Sequence, residues 1–208
     1  MFRRRSFLKS SSLIAGGLIL PKLSFKSKKL NQKKLKIAVV GCGGRGTGAA
    51  VQALRADNNV ELVTLADAFK DRLEGSLNAI KDEFEGEMEI NIKEKNKFVG
   101  FDAYKKAIDK SDVVILASPP GFRPAHFEYA INKNKHVFME KPVATDAHGV
   151  RQVLNSARKA KEKNLNVVVG LQRRYQKSYL SAKKQIDRGM IGKIISAHVR
   201  WNLSLIHI

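Results

Sequence analysis

The chain predicts an α/β fold built on a doubly wound parallel sheet. Two observations carry this. Solid apolar, β-branched runs recur along residues 36–170 with helical periodicity between them. The turn signals fall where such runs end, as at Gly41, Pro119-Pro120-Gly121 and Pro142. A third observation predicts a change of architecture near the C-terminal end: Ile194 to Trp201 alternates apolar and polar residues, the pattern of a strand with one wet face.

The elements follow in order. Lys36-Ile37-Ala38-Val39-Val40 is an apolar run stopped by Gly41, hence a buried strand. Residues 45–55 have helical spacing. Val60 to Ala66 is the second strand. Phe69 to Phe84 is a helix with Leu73, Leu77, Ile80 and Phe84 on one face. Residues 85–97 are polar and mixed, and read as a surface excursion. Tyr104 to Ile108 reads as a short helix, and Asp112 to Ala117 as a third strand. Ala125 to Asn132 is helical and His136 to Glu140 is a strand. Asp146 is placed to cap a long helix running to about Lys163. Val167-Val168-Val169-Gly170 is a strand, Ser178 to Arg188 a helix, and Gly189 and Gly192 break the chain after it.

Composition bounds the function classes. The 208 residues are 43% apolar and 28% charged, as in a soluble globular protein with a substantial core. The net charge of +20 is unevenly spread: residues 1–36 hold 11 Lys or Arg, and no acid precedes Asp57. In the body the excess lies along helix faces, as at Lys105-Lys106, Lys159 to Lys163 and Lys183-Lys184, which reads as solvated surface. No base-stacking aromatic motif or helix-turn-helix pattern accompanies it, so nucleic acid is not an expected partner. Cys42 is the only cysteine and reads as a small space-filler. No spacing of His and acidic residues suggests a metal site; His136 and His148 read as structural.

Gly41-Cys42-Gly43-Gly44-Arg45-Gly46 fits G-x-G-x-x-G between a buried strand and a helix. Gly41 suits the tight turn, Gly43 lets backbone approach a pyrophosphate, and Gly46 lets the helix pack on the strand. The N–H groups at the helix start then face the phosphates. Asp67 closes the second strand, 21 residues after Gly46. A carboxylate there accepts from both ribose hydroxyls and repels a 2′-phosphate, which selects NAD. Lys70 and Arg72 follow closely and keep NADP as the alternative. Asp67 also reads as a helix N-cap, a role compatible with the first. Ser118-Pro119 ends the Val113 strand, where backbone meets the nicotinamide ribose. Arg123 and His126 stand at the next helix start, His126 as a cofactor contact or a capping histidine. Glu140-Lys141-Pro142 ends a buried strand, and a lysine at the mouth of a sheet is a candidate for proton transfer.

These residues resemble the Gfo/Idh/MocA family of oxidoreductases. Ile37 to Gly46, Asp67, Ser118 to His126 and Lys135-His136-Val137-Phe138-Met139-Glu140-Lys141-Pro142 carry the resemblance, together with Gly170-Leu171-Gln172-Arg173-Arg174-Tyr175. The resemblance spans residues 35–202. It implies a Rossmann domain followed by a second α/β domain with an open antiparallel sheet. It implies hydride transfer between nicotinamide and a sugar, cyclitol or related polyol, with Lys141 contacting substrate and the nicotinamide ribose and standing in the proton path, Glu140 helping to bind cofactor, and Arg174 reaching cofactor or substrate. A positive nicotinamide and partial desolvation both disfavour an ammonium, in keeping with that role. The alternatives are an NAD-dependent glycosidase working by transient oxidation and elimination, and a non-catalytic NAD-binding module. Lys177 stands where members often carry proline. The expected partner is a small carbohydrate-like molecule, and the whole protein is expected to form a homo-oligomer.

Residues 1–34 read as an address and a basic linker. Arg4-Arg5-Ser6-Phe7-Leu8-Lys9 resembles the twin-arginine export signal and precedes an apolar run, Ser12 to Leu20, too short to span a bilayer, which needs about 20 apolar residues. Export to the periplasm or envelope exterior is expected, with only transient membrane contact. Residues 35–155 are read as the dinucleotide-binding domain. Residues 156–208 are read as its end plus the first strand of a second domain that the chain truncates. Leu203-Ser204-Leu205-Ile206-His207-Ile208 resembles the in-frame translation of a transposon end and is expected to be non-native. The fragment itself is expected to be inactive.

Overall fold

A computed structural model of the chain describes residues 33–200. The twin-arginine stretch, Trp201 and the hexapeptide 203–208 lie outside the described residues. The elements are β1 (Leu35–Val40), α1 (Gly44–Ala56), β2 (Val60–Asp67), α2 (Lys70–Glu83), β3 (Lys97–Val99), α3 (Ala103–Asp109), β4 (Val113–Leu116), α4 (Arg123–Asn132), β5 (His136–Met139), α5 (Ala147–Glu162), β6 (Val167–Val169) and α6 (Lys177–Asp187). Single 3-10 turns cover Glu94–Asn96 and Gln172–Arg174. All six strands are parallel, in the order β3-β2-β1-β4-β5-β6.

Alternate residues of each strand serve opposite faces of this sheet. Ile37, Val39, Leu65 and Ile115 pack with Ala49, Ala50 and Leu54 of α1 and with Leu73, Leu77 and Ile80 of α2. Ala38, Val40, Val114, Leu116, Val137 and Met139 pack on the other face with α3, α4 and α5, through Ala107, Ile108, Phe127, Ile131 and Val153. Burial on both faces is why β1 and β4 read as unbroken apolar runs rather than alternating ones. Asp146 caps α5 as expected: its carboxylate accepts the Gly149 N–H at 2.6 Å.

Two readings change. The excursion 85–97 is not purely surface: Ile90 and Ile92 are buried against the α2 face, and the excursion ends in β3, which pairs with Leu65 to Asp67. A three-residue strand is too short to display a period. The strand expected from Ile194 does not form over residues 194–200, which have no regular structure, and Ile195 and Val199 are about nine-tenths exposed. A strand needs a neighbour to take its N–H and C=O groups, and no strand is laid beside this segment among the described residues. Lys177 is the first residue of α6, a position that suits proline equally well, so the departure from proline leaves the helix start in place.

The chain order reverses at β1, which lies between β2 and β4. The loops leaving β1 and β4 therefore diverge to opposite faces, and a crevice opens at the carboxyl ends of the strands.

Candidate functional site in the cleft at the strand ends

The glycine loop forms one wall of that crevice. Gly41 has φ +95°, and a Cβ there would stand 2.4 Å from the Ser118 backbone nitrogen. Its own N–H donates to the Ala66 carbonyl, so the turn is tied to β2 and pressed against the end of β4. A Cβ on Gly46 would stand 1.9 Å from the Gly41 carbonyl oxygen. These two glycines are demanded by the fold. Gly43 and Gly44 are not: a Cβ at either meets nothing within 4 Å. Gly43 lines the cleft and caps α1 with no side-chain hydrogen bond, and no acid occupies the first turn of that helix. Open space above Gly43 and helix-start N–H groups form the cradle a pyrophosphate requires.

Asp67 ends β2 and faces this loop. Its Oδ2 accepts the Cys42 N–H at 2.6 Å and its Oδ1 accepts the Phe69 N–H at 3.0 Å. The cap of α2 is Phe69, so Asp67 fastens the turn before the helix rather than capping it. Each carboxylate oxygen keeps acceptor capacity for a ribose hydroxyl. Cys42 is buried and its thiol points to the Ala66 carbonyl. Burial, aided by the Asp67 charge, pushes that thiol up to about 12, so it is a space-filler without nucleophilic character at neutral pH.

The turn after β4 forms the opposite wall. Ser118 Oγ and His126 Nδ1 are 3.0 Å apart, and the His126 ring stacks on Tyr104 with centroids 4.0 Å apart. Burial and the nearby Arg123 charge push His126 down to about 4, so the ring is neutral at ordinary pH. Arg123 is buried at the start of α4, and its guanidinium donates to the Ser118 and Pro142 carbonyl oxygens.

The end of β5 completes the site. The Glu140 N–H donates to the Leu116 carbonyl, which aligns this strand end with β4. The Glu140 side chain is 6% exposed and pairs with Arg45 Nε at 2.7 Å, joining the glycine loop to β5. A Cβ on Gly170 would stand 2.7 Å from Glu140 Oε1, so the glycine after β6 leaves room for that carboxylate. Lys141 follows, exposed, and the Lys141–Pro142 peptide bond is cis.

One cleft of about 480 Å³ gathers Gly41, Gly43, Arg45, Asp67, Ser118, Pro119, His126, Glu140 and Lys141. Of the other residues expected at the site, Cys42 and Gly46 are buried behind the loop, and Gly44 is exposed at the start of α1 and does not line the cleft. Arg174 sits exposed in the 3-10 turn beyond β6 and does not line the cleft. Sequence reasoning missed an aromatic rim. Phe69 and Phe101 line the cleft while being 62% and 72% exposed, and Phe101 lies 6.1 Å from Phe122, centroid to centroid. Phe101 follows β3, and with that strand unrecognised nothing marked the position. Arg72 also lines the cleft, on the Asp67 side.

Comparison with known proteins agrees with this geometry. Residues 35–170 match the Gfo/Idh/MocA family model, described as an oxidoreductase family with an NAD-binding Rossmann fold. The chain is 29% identical over 169 residues to inositol 2-dehydrogenase of Salmonella typhimurium, covering 80% of this chain and 45% of that protein. Among solved structures, myo-inositol 2-dehydrogenase of Lactobacillus plantarum superposes with a TM-score of 0.61 at 31% identity, over 78% of this chain and 44% of that one. Scyllo-inositol dehydrogenase of Lactobacillus casei, solved with bound NAD(H) and scyllo-inositol, gives a TM-score of 0.60 at 26% identity, over 77% and 43% of the two chains. The chain thus spans less than half the length of the relatives it matches. With the parallel sheet, the glycine cradle and Asp67 in one cleft, and with most of its length matched by one family model, the chain belongs to the Gfo/Idh/MocA oxidoreductases and carries their NAD-binding Rossmann fold.

Proposed function

We propose that the whole protein is an NAD-dependent dehydrogenase that oxidises a ring carbinol of a cyclitol or related polyol. The observation that carries this reading is the position of Lys141, on the same cleft as the Gly43 cradle and Asp67. NAD supplies a hydride acceptor when bound. The N–H groups at the start of α1 hold its phosphates, and Asp67 accepts from the adenosine ribose and disfavours a 2′-phosphate. Glu140, fixed by Arg45 and given room by Gly170, sets the end of β5. Lys141 takes the proton released from the substrate hydroxyl as the carbonyl forms, and returns it in the reverse direction. The cyclitol class rests on the inositol dehydrogenases that the chain resembles.

The test uses the complete reading frame. Purified protein should reduce NAD with an inositol isomer, and Lys141→Ala should bind NAD as tightly as the unaltered protein while losing turnover. Unchanged turnover in the variant removes Lys141 from the reaction. We further propose that Arg4-Arg5 directs twin-arginine export and that the whole protein self-associates. A fusion of residues 1–34 to a folded reporter should reach the periplasm, and substitution of both arginines by lysine should retain it in the cytoplasm. Export unaffected by that change would rule out the route.

A further inference from the structure

Arg123 lines the cleft yet has no part in the reading above. It is 2% exposed at the first position of α4, and its two terminal nitrogens reach separate segments. Nη2 donates to the Ser118 carbonyl, in the turn after β4. Nη1 donates to the Pro142 carbonyl, one residue beyond Lys141. Its Nε is buried with no hydrogen-bond partner. Burying a guanidinium against two carbonyls with its Nε unmatched is unfavourable compared with an apolar side chain in the same space. Burial accordingly weakens its hold on its proton, and the Glu140 charge opposes that shift. The planar fork is what the place uses: two donors set at a fixed spacing join the turns that leave β4 and β5, beyond the last ladder bond from Glu140 to Leu116. A lysine has one ammonium and cannot hold both carbonyls in that geometry.

We propose that Arg123 is a positioning residue for Lys141, tying the Lys141–Pro142 turn at the end of β5 to the Ser118 turn at the end of the neighbouring β4. The separation between the proton-handling nitrogen and the backbone beside the nicotinamide is then set by one side chain. This rests on the dehydrogenase reading of Lys141.

The experiment compares the whole protein with its Arg123→Lys and Arg123→Met variants, first without any ligand. Exchange of the Phe122 amide, which donates to Pro119, and of the Glu140 amide, which donates to Leu116, should quicken roughly tenfold or more, while amides in β1 and in the middle of α5 keep their protection. In turnover, kcat should fall by roughly tenfold to a hundredfold with a much smaller change in KM for NAD. The pH profile of kcat should move. A merely structural Arg123 would instead quicken exchange throughout the sheet and leave that profile in place. Either that pattern, or unchanged exchange at Phe122 and Glu140, overturns the proposal. Should neither variant fold, the unaltered protein decides: Phe122 and Glu140 must open with the same free energy, and independent opening overturns the proposal. Loosened turns in a protein whose unaltered form never reduces NAD would overturn the dehydrogenase reading and not the tie itself.

Discussion

His126 shows how one buried side chain links the site to the stability of the fold. Its ring is neutral because burial and the Arg123 charge both oppose a proton, holding it near 4 against an ordinary value of 6.5. The unfolded chain accepts that proton below about pH 6.5, whereas the folded chain does so only near pH 4. The folded state is therefore at full advantage above about pH 6.5 and loses it as pH falls towards 4, by at most roughly 3 kcal/mol. His126→Gln removes the titrating group. Urea unfolding at about pH 7 and about pH 4.5 should show a smaller acid loss in the variant. An equal loss in both proteins would assign the slope to other groups. The sequence showed Arg123 one turn before His126 but not the burial that is the larger cause of the ring's neutrality, because Tyr104 stacks on it from α3. Glu140 teaches the same lesson. Its place at a strand end was legible, but its partner Arg45 stands 95 positions away and is defined only once β1 and β5 share a sheet.

At the scale of elements, the junction of β1 with α1 separates what the fold needs from what the ligand needs. A methyl group at Gly46 meets the Gly41 carbonyl at 1.9 Å, and backbone on both sides cannot yield cheaply. Gly46→Ala should cost about 1–3 kcal/mol of stability by pushing α1 off the sheet. A methyl group at Gly43 meets nothing within 4 Å. Gly43→Ala should leave thermal unfolding nearly unchanged and still weaken NAD binding tenfold or more, a rough figure for a methyl held in the phosphate approach. Calorimetric melting and NAD titration on both variants check the contrast, and tight NAD binding by Gly43→Ala would remove the cradle from the cofactor site. Elements with long apolar runs or clear helical faces were legible in the chain. β3 was not, because Lys97-Phe98-Val99 offers no period and is recruited by the edge of β2. The Ile194 segment alternates convincingly but is laid beside no strand among the described residues, which shows that a strand pattern is a statement about a neighbour as much as about a sequence.

At the scale of the molecule, the buried mass ends at Gly170. Every residue from 171 to 200 is exposed, α6 included, while the sheet and its covering helices hold the core. Segments without buried contacts open at almost no free-energy cost. Limited trypsin digestion should therefore cut first among Arg173, Arg174, Lys177, Lys183, Lys184, Arg188 and Lys193, and leave a resistant body. Mass spectrometry of the early fragments would show this. First cuts within α1 or α2 would mean that the sheet is the weaker part.

The order of the strands also sets a clock for synthesis. β1 meets β2 about twenty residues after it emerges, but its other edge waits for β4, some seventy residues further along the chain. At ribosomal speeds of about 5–20 residues per second, that edge stays open for roughly 4 to 15 seconds. During that interval the glycine loop has no Ser118 to press against and no Glu140 for its arginine. The glycine loop and Asp67 therefore come together first, and the cofactor meets the second wall of its cleft only when β4 and β5 have joined the sheet.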